Sequence, residues 1–278
     1  MSILAYLSPA KSLRFGLSLG EEDSMPANQP RLGDQSAQLA RAMQAYDAVD
    51  LGKLMDISDK LAQLNKTRFL QIDNPLDAAD PDCRRAVFCF DGDAYEGLCP
   101  ETLSKASLAR LDQQLRLLSG YYGALRPSDL MRAYRLEMGR RPLGIGAKSL
   151  YEFWGARIAD LLADDAQAIG ASEALSLASG EYDQAARSHW PASIPLHRSR
   201  FESDTPKGRK VVSFDAKRAR GLFARHLALA ERGSAQGAAE SFDLEGWAFD
   251  KASPPDATGS REFVFVRSPP EPDINPAY

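Results

Sequence analysis

The residues of this sequence best suited to chemistry are cations, and three segments concentrate them. The first is Val212-Ser213-Phe214-Asp215-Ala216-Lys217-Arg218-Ala219-Arg220-Gly221. It reads as a strand, Val211–Phe214, running into a helix whose apolar side is Ala216, Ala219, Phe223, Leu227 and Ala230, with Ser213 or Asp215 as its cap. Lys217 and Arg218 then fall in the first turn, where the helix dipole disfavours cations. A helix N-terminus carrying extra positive charge suits a phosphate or another anion. The same pattern also suits a solvated basic helix paired with the protein's own acids.

The second segment is Leu118-Ser119-Gly120-Tyr121-Tyr122-Gly123-Ala124-Leu125-Arg126-Pro127-Ser128-Asp129, followed by Tyr134-Arg135-Leu136-Glu137-Met138-Gly139. Its glycines loosen the backbone after a helix, and Pro127 suits the first turn of another. Aromatics interleaved with arginines can stack on bases and pair with phosphates. They equally describe a core loop closed by Arg135–Glu137 or Arg126–Asp129 ion pairs. The third segment, Asp56 to Phe69, reads as a helix, a tight turn at Gln63–Asn65 and a second helix. In a helix-hairpin-helix element such a turn offers backbone N–H groups to a DNA phosphate without reading bases, and Lys60, Lys66 and Arg68 supply the charge.

Other chemistry is poorly represented. There is no Walker loop, Rossmann glycine fingerprint, Gly-x-Ser-x-Gly or His-Glu-x-x-His. His189, His197 and His226 are isolated, and Asp91, Asp93 and Glu96 lack the EF-hand spacing. Cys83, Cys89 and Cys99 form no Cys-x-x-Cys pair and read as reduced, buried thiols. No metal or cofactor is called for.

The elements that must position these residues are short apolar strands alternating with helices. Strands are expected at Ile3–Leu7, Ala86–Phe90, Ala174–Ala178, Val211–Phe214 and Phe263–Val266. Helical stripes are Leu39, Met43 and Tyr46; Leu108, Leu111, Leu115 and Leu118; and Leu150, Trp154, Ile158 and Leu161. Trp247–Phe249 and Phe263–Val266 flank a Pro/Asp/Gly/Ser run and predict an antiparallel hairpin. The class is mixed α/β, a mostly buried central sheet covered by helices. Residues 1–267 read as one domain with a small helical lobe at 52–70, and 268–278 as a flexible acidic tail.

Composition sets the outer bounds. The chain has 278 residues, 34 Lys and Arg against 38 Asp and Glu, and a net charge of −4, which excludes a uniformly basic nucleic-acid binder. The charge is uneven, with a net +4 from Arg126 to Lys148 and +6 from Lys207 to Arg225. No stretch approaches the roughly 18 apolar residues of a membrane span, and Met1–Leu7 reads as a first strand rather than a signal peptide. A cytoplasmic protein with no membrane partner is expected.

Taken together the motifs resemble the YaaA family of peroxide stress resistance proteins. The resemblance rests on Ser8-Pro9-Ala10-Lys11, Ser58-Asp59-Lys60-Leu61-Ala62 with Arg68-Phe69, and Gly92-Asp93-x-Tyr95-x-Gly97-Leu98. It continues through Leu118 to Met131, Tyr134 to Gly139, Leu150-Tyr151-x-Phe153-Trp154-Gly155, Leu177-Ala178-Ser179-x-Glu181-Tyr182 and Ala216 to Gly221. It implies a cytoplasmic protein, induced by hydrogen peroxide, that limits damage from intracellular iron. It further implies a helix-hairpin-helix beside a basic cleft that binds duplex or damaged DNA. Lys11, Lys60, Arg68, Arg126, Arg135, Lys148, Lys217, Arg218 and Arg220 are the phosphate contacts it suggests. Gln63 stands where the family hairpin has glycine, and Asp91 and Asp215 add negative charge near the basic sites. These departures suit an alternative, an enzyme acting on a small anionic substrate such as a nucleotide or amino acid. There Lys11, Arg126, Arg135 and Lys217 clamp the anion, and Tyr122, Tyr134 or Glu137 moves protons.

Overall fold

The computed structural model of the chain describes residues 2–15, 20–230 and 233–267; the expected tail, 268–278, lies outside the described residues. Every residue of the first strand, β1 (Ser2–Leu7), is buried, the mark of a strand covered on both faces. It lies inside an eight-stranded sheet with β2 (Leu115–Ser119), β3 (Gly123–Leu125), β4 (Ala171–Leu177), β5 (Leu196–Ser203), β6 (Asp243–Leu244), β7 (Trp247–Ala252) and β8 (Glu262–Arg267). The order is β6-β7-β8-β5-β4-β1-β2-β3. The five strands β8, β5, β4, β1 and β2 run parallel, and an antiparallel strand or hairpin finishes each edge. Two small ribbons stand apart, Ser12–Leu13 with Phe90–Asp91 and Cys83–Arg85 with Leu130–Arg132.

The helices are α1 (Gly33–Gln44), α2 (Ala48–Met55), α3 (Asp59–Gln71), α4 (Asp93–Leu98), α5 (Lys105–Gln114), α6 (Leu150–Trp154), α7 (Arg157–Ala168), α8 (Gly180–Arg187), α9 (Ser213–Leu229) and α10 (Ala235–Glu240), besides single turns. Strand alternation decides which face each covers. Tyr6 and Ser176 sit side by side and both bond Asp183 of α8, so α8 lies on their face. Ser176 pairs with Arg198, and Phe201, three residues on, points the opposite way onto Phe223 of α9. The sheet is thus sandwiched, with Phe201, Phe223, Phe242, Trp247 and Phe265 forming an aromatic core under α9. The α/β class and the C-terminal hairpin are as the sequence predicts.

Several expected elements differ. Ala86–Phe90 is not a strand: Ala86–Cys89 forms one helical turn between two short strands, held by bonds from the Ala86 and Val87 N–H groups to Asp129 and Pro127. Val211–Phe214 is not a strand either. Val211 and Phe214 are 47% and 57% exposed, and α9 begins at Ser213 with no side-chain cap. Asp215 instead accepts a hydrogen bond from Ser203. The leucine stripe ends at Leu111, because α5 stops at Gln114 and Leu115 and Leu118 belong to β2. A strand buried on both faces shows no alternation and imitates a helical stripe. The stripe from Leu150 to Leu161 is two helices, broken where Gly155 takes φ +50°. Pro127 enters a tight turn before Leu130–Arg132, not a helix. In the helical lobe the turn lies at Asp56–Ser58, with Asp56 left-handed at φ 54°. Gln63–Asn65 is the middle of unbroken α3, where Asn65 donates back to the Leu61 carbonyl.

Candidate anion-binding pocket

Two parallel strands, β1 and β4, end side by side at Leu7 and Leu177. Beyond them the Ser179 N–H donates to the Ser8 hydroxyl at 2.8 Å, lacing the two strand exits together. The chain after β4 enters α8 on one face of the sheet, while α9 covers the other. A crevice at the carboxyl ends of parallel strands is where open α/β sheets hold ligands. A cavity of about 460 Å³ lies here.

Close backbone approaches bring the remaining walls in. A Cβ on Gly221 would lie 1.6 Å from the Ala94 carbonyl oxygen, and one on Gly97 2.3 Å from that of Arg218. Only glycines let α9 and α4 cross so tightly, and the crossing sets Lys217 and Arg220 beside Asp91, Gly92 and Asp93. A Cβ on Gly120 would sit 2.1 Å from the Leu136 carbonyl oxygen, which presses the segment Tyr134–Glu137 against the end of β2. Tyr134 shares a 2.6 Å hydrogen bond with Ser119 there.

The lining mixes apolar residues such as Leu7, Ala10, Leu136 and Leu177 with polar groups of both signs: Ser8, Lys11, Asp91, Asp93, Tyr134, Arg135, Glu137, Ser179, Glu181, Tyr182, Lys217 and Arg220. Glu137, its side chain 10% exposed, gathers three cations: Arg135 at 3.1 Å, Lys11 at 3.7 Å and Arg140 at 3.8 Å. Among the described residues Lys217 has only the distant Asp93, at 3.9 Å. Arg220 makes no hydrogen bond or ion pair to any described residue, and its Nε is closed off from solvent. Burial pulls its guanidinium below the ordinary value against the opposing field of Asp183. Arg68 of α3 is likewise lowered, by burial and then by the neighbouring charge of Arg135. Burial holds the Tyr134 phenol well above its usual range, so it stays protonated near neutrality.

Of the nine expected phosphate contacts, Lys11, Arg135, Lys217 and Arg220 line this pocket and Arg68 stands beside Arg135. The other four do not line it. Arg126 is tied to Asp129 and the Gln29 carbonyl, and Arg218 to Glu245 and Glu96. Lys60 is exposed on α3, and Lys148 is exposed in the loop before α6. Tyr122 donates no pocket surface; its oxygen accepts the Arg132 N–H in the core. Both ion pairs read from the sequence, Arg135–Glu137 and Arg126–Asp129, form. Ser8, Ser179, Glu181 and Tyr182 join the site from two of the motifs that carry the family resemblance; the sequence gives them no role in it, since strand ends distant in sequence bring them together.

Cys83 and Cys89 are buried free thiols and Cys99 a half-buried one. His197 is held between Glu173 and the Arg261 N–H, away from the pocket. Among the described residues no cluster of His, Cys, Asp or Glu is placed to hold a metal ion. No helix among them is long and apolar enough to cross a membrane.

The fold and site thus define an α/β protein with a cation-lined pocket at the exits of its parallel strands. The chain belongs to the peroxide stress protein YaaA family, whose family model matches residues 1–253. Membership assigns it a role in peroxide stress. It is 40% identical over 260 residues to a UPF0246 protein of Chromobacterium violaceum, covering 92% of this chain and 97% of that one. A UPF0246 protein of Laribacter hongkongensis is 40% identical over 95% of this chain and 99% of its own, and one of Idiomarina loihiensis 37% over 96% and 99%.

Proposed function

We propose that this protein serves its peroxide-stress role in the cytoplasm by binding DNA without sequence preference, and so limits iron-dependent oxidative damage to it. The observation that carries this reading is the convergence of Lys11, Arg68, Arg135, Lys217 and Arg220 at one place on a chain of net charge −4. Lys11 and Lys217, at the pocket's mouth, are 67% and 57% exposed and open to a duplex backbone. Such a patch draws phosphates, and each phosphate neutralised releases condensed counterions. Iron(II) held by the DNA is among the cations displaced, which moves its reaction with peroxide away from the bases.

The test is fluorescence anisotropy of a labelled duplex with the full chain across a salt series. Micromolar binding at low salt is expected, with a log–log salt slope of roughly −3 to −4 for about four phosphate contacts. Lys11→Glu with Lys217→Glu is expected to weaken binding at least tenfold and to flatten the slope by about two. Arg218→Glu, outside the pocket and already paired with Glu245, weakens binding less than the double variant, by about two- to fivefold. Undiminished affinity in the Lys11/Lys217 double variant sinks the reading. The enclosure of the pocket favours a second one, an enzyme acting on a small anionic substrate, with Glu137 the acid–base group nearest the cations. Turnover of a nucleotide or amino acid that Glu137→Gln abolishes would establish it.

A further inference from the structure

We infer that the pocket takes a phosphate monoester carried by a nucleoside, either a free mononucleotide or the phosphorylated end of a DNA strand, with Arg220 as its inner receptor. The inference rests on the DNA reading only for the second of these sources.

Depth and chemistry together point this way. Lys11 and Lys217 are 67% and 57% exposed and stand where any phosphate can reach them. Arg220 is far less accessible, with its Nε shut off and none of its donors used. Among the described residues only the field of Asp183 answers this half-buried guanidinium, so an anion that reaches it meets donors that no protein acceptor occupies. Its planar fork matches the paired oxygens of a phosphate. A duplex cannot bring an internal phosphate to it. Each phosphodiester is flanked on both sides by sugar and chain, and a cavity of 460 Å³ has no room for the double helix. That volume does fall in the range of about 300–1,000 Å³ typical of small-ligand sites. A terminal phosphate has three free oxygens, a second negative charge and open space on one side. It can enter past the two lysines and leave its nucleoside against Tyr134 and Tyr182, which also line the cavity.

The experiment uses the full chain and three kinds of ligand. Mononucleotides are compared with their unphosphorylated nucleosides and with inorganic phosphate by isothermal titration. Linear duplexes with 5′-phosphate, 3′-phosphate or hydroxyl ends, and a closed circular duplex, are compared by anisotropy competition. The expected result is a preference of at least fivefold for the phosphorylated partner in one or both comparisons, with inorganic phosphate weaker than a mononucleotide. A preference among mononucleotides alone assigns the free nucleotide, and one among duplex ends alone assigns the strand terminus. Arg220→Gln erases the preference, and Arg220→Lys, which keeps the charge but loses the fork, restores part of it. A matched thermal midpoint shows that the variants fold. Equal affinity for phosphorylated and hydroxyl ligands in both comparisons, or a preference that survives Arg220→Gln, overturns the inference. If no duplex binds at low salt while mononucleotides do, the DNA reading falls and the pocket assignment stands.

Discussion

Asp165 shows what a buried charge does here when it is fully answered. It takes three charge-assisted bonds, two from Arg31 at 2.5 and 2.6 Å and one from Arg116 at 2.5 Å, and Arg116 is only 4% exposed. Burial alone would raise this carboxyl, but the two guanidiniums outweigh burial and hold it below its ordinary range. A carboxyl depressed in the folded state adds stability above its unfolded pKa of about 3.9, and that stability drains away as pH falls below it. Asp165→Asn is expected to cost about 3–5 kcal/mol at pH 7, since it strands Arg116. Urea midpoints at pH 7 and pH 3 check this. The variant should lose less between the two than the parent, and an equal loss would clear Asp165 of the acid sensitivity. Arg116 is also a reminder of what sequence leaves hidden. Nothing near it in the chain announces Asp165, whereas Arg135–Glu137 and Arg126–Asp129 are two and three residues apart and could be read directly. Arg220 was legible as a cation but not as an unpaired one, because partnership is a property of the fold.

At the scale of elements the crossing of α9 and α4 decides the site's geometry. Adding one methyl at Gly221 drives it into the Ala94 carbonyl and must separate the helices. Gly221→Ala is therefore expected to destabilise by about 1–3 kcal/mol or more, despite alanine's better helix propensity, as overpacking does. It should also weaken anion binding, because Lys217 and Arg220 move off Asp93 and Gly92. A urea midpoint no lower than that of the parent chain would mean that the two helices slide apart freely. Strand and helix identities were legible where periodicity was clean, as in α1 and the C-terminal hairpin. They were not at β2, where Leu115–Ser119 is buried throughout and its leucines continue the spacing of α5. β5 was missed for a different reason. Leu-His-Arg-Ser-Arg-Phe-Glu-Ser carries polar residues in six of its eight positions, and several of them reach solvent or ion pairs such as Arg200–Glu202. The hairpin expected at Gln63–Asn65 failed because a polar run can be an exposed helix as easily as a turn.

Across the whole molecule, the field at the pocket is a balance rather than a surplus. Acids neighbour most of the cations: Asp93 near Lys217, Glu137 among Arg135, Lys11 and Arg140, and Glu245 on Arg218. Glu245 sits between β6 and β7, so the distant edge of the sheet holds one cation of α9 away from solution. Freeing it by Glu245→Gln is expected to raise duplex affinity about two- to fivefold at low salt, and to make the salt slope steeper by up to one. Unchanged affinity would show that Arg218 lies too far from the bound phosphates to matter.

The strand order has a consequence for how such a chain comes into being. β1, the first strand made, and β8, the last described, are both interior strands, with β8 wedged between β5 and β7. A nascent chain on the ribosome can pair β1 with β2 and β4, yet β5 keeps a bare hydrogen-bonding edge until residues 262–267 emerge. Until then the Phe201 and Phe223 core lacks Phe265, and the edge is open to pairing with other chains. Synthesis interrupted shortly before that strand should therefore yield aggregates rather than a smaller working protein. The pocket, walled by residues from Leu7 to Arg220, is secured only when nearly the whole of the described chain has left the ribosome.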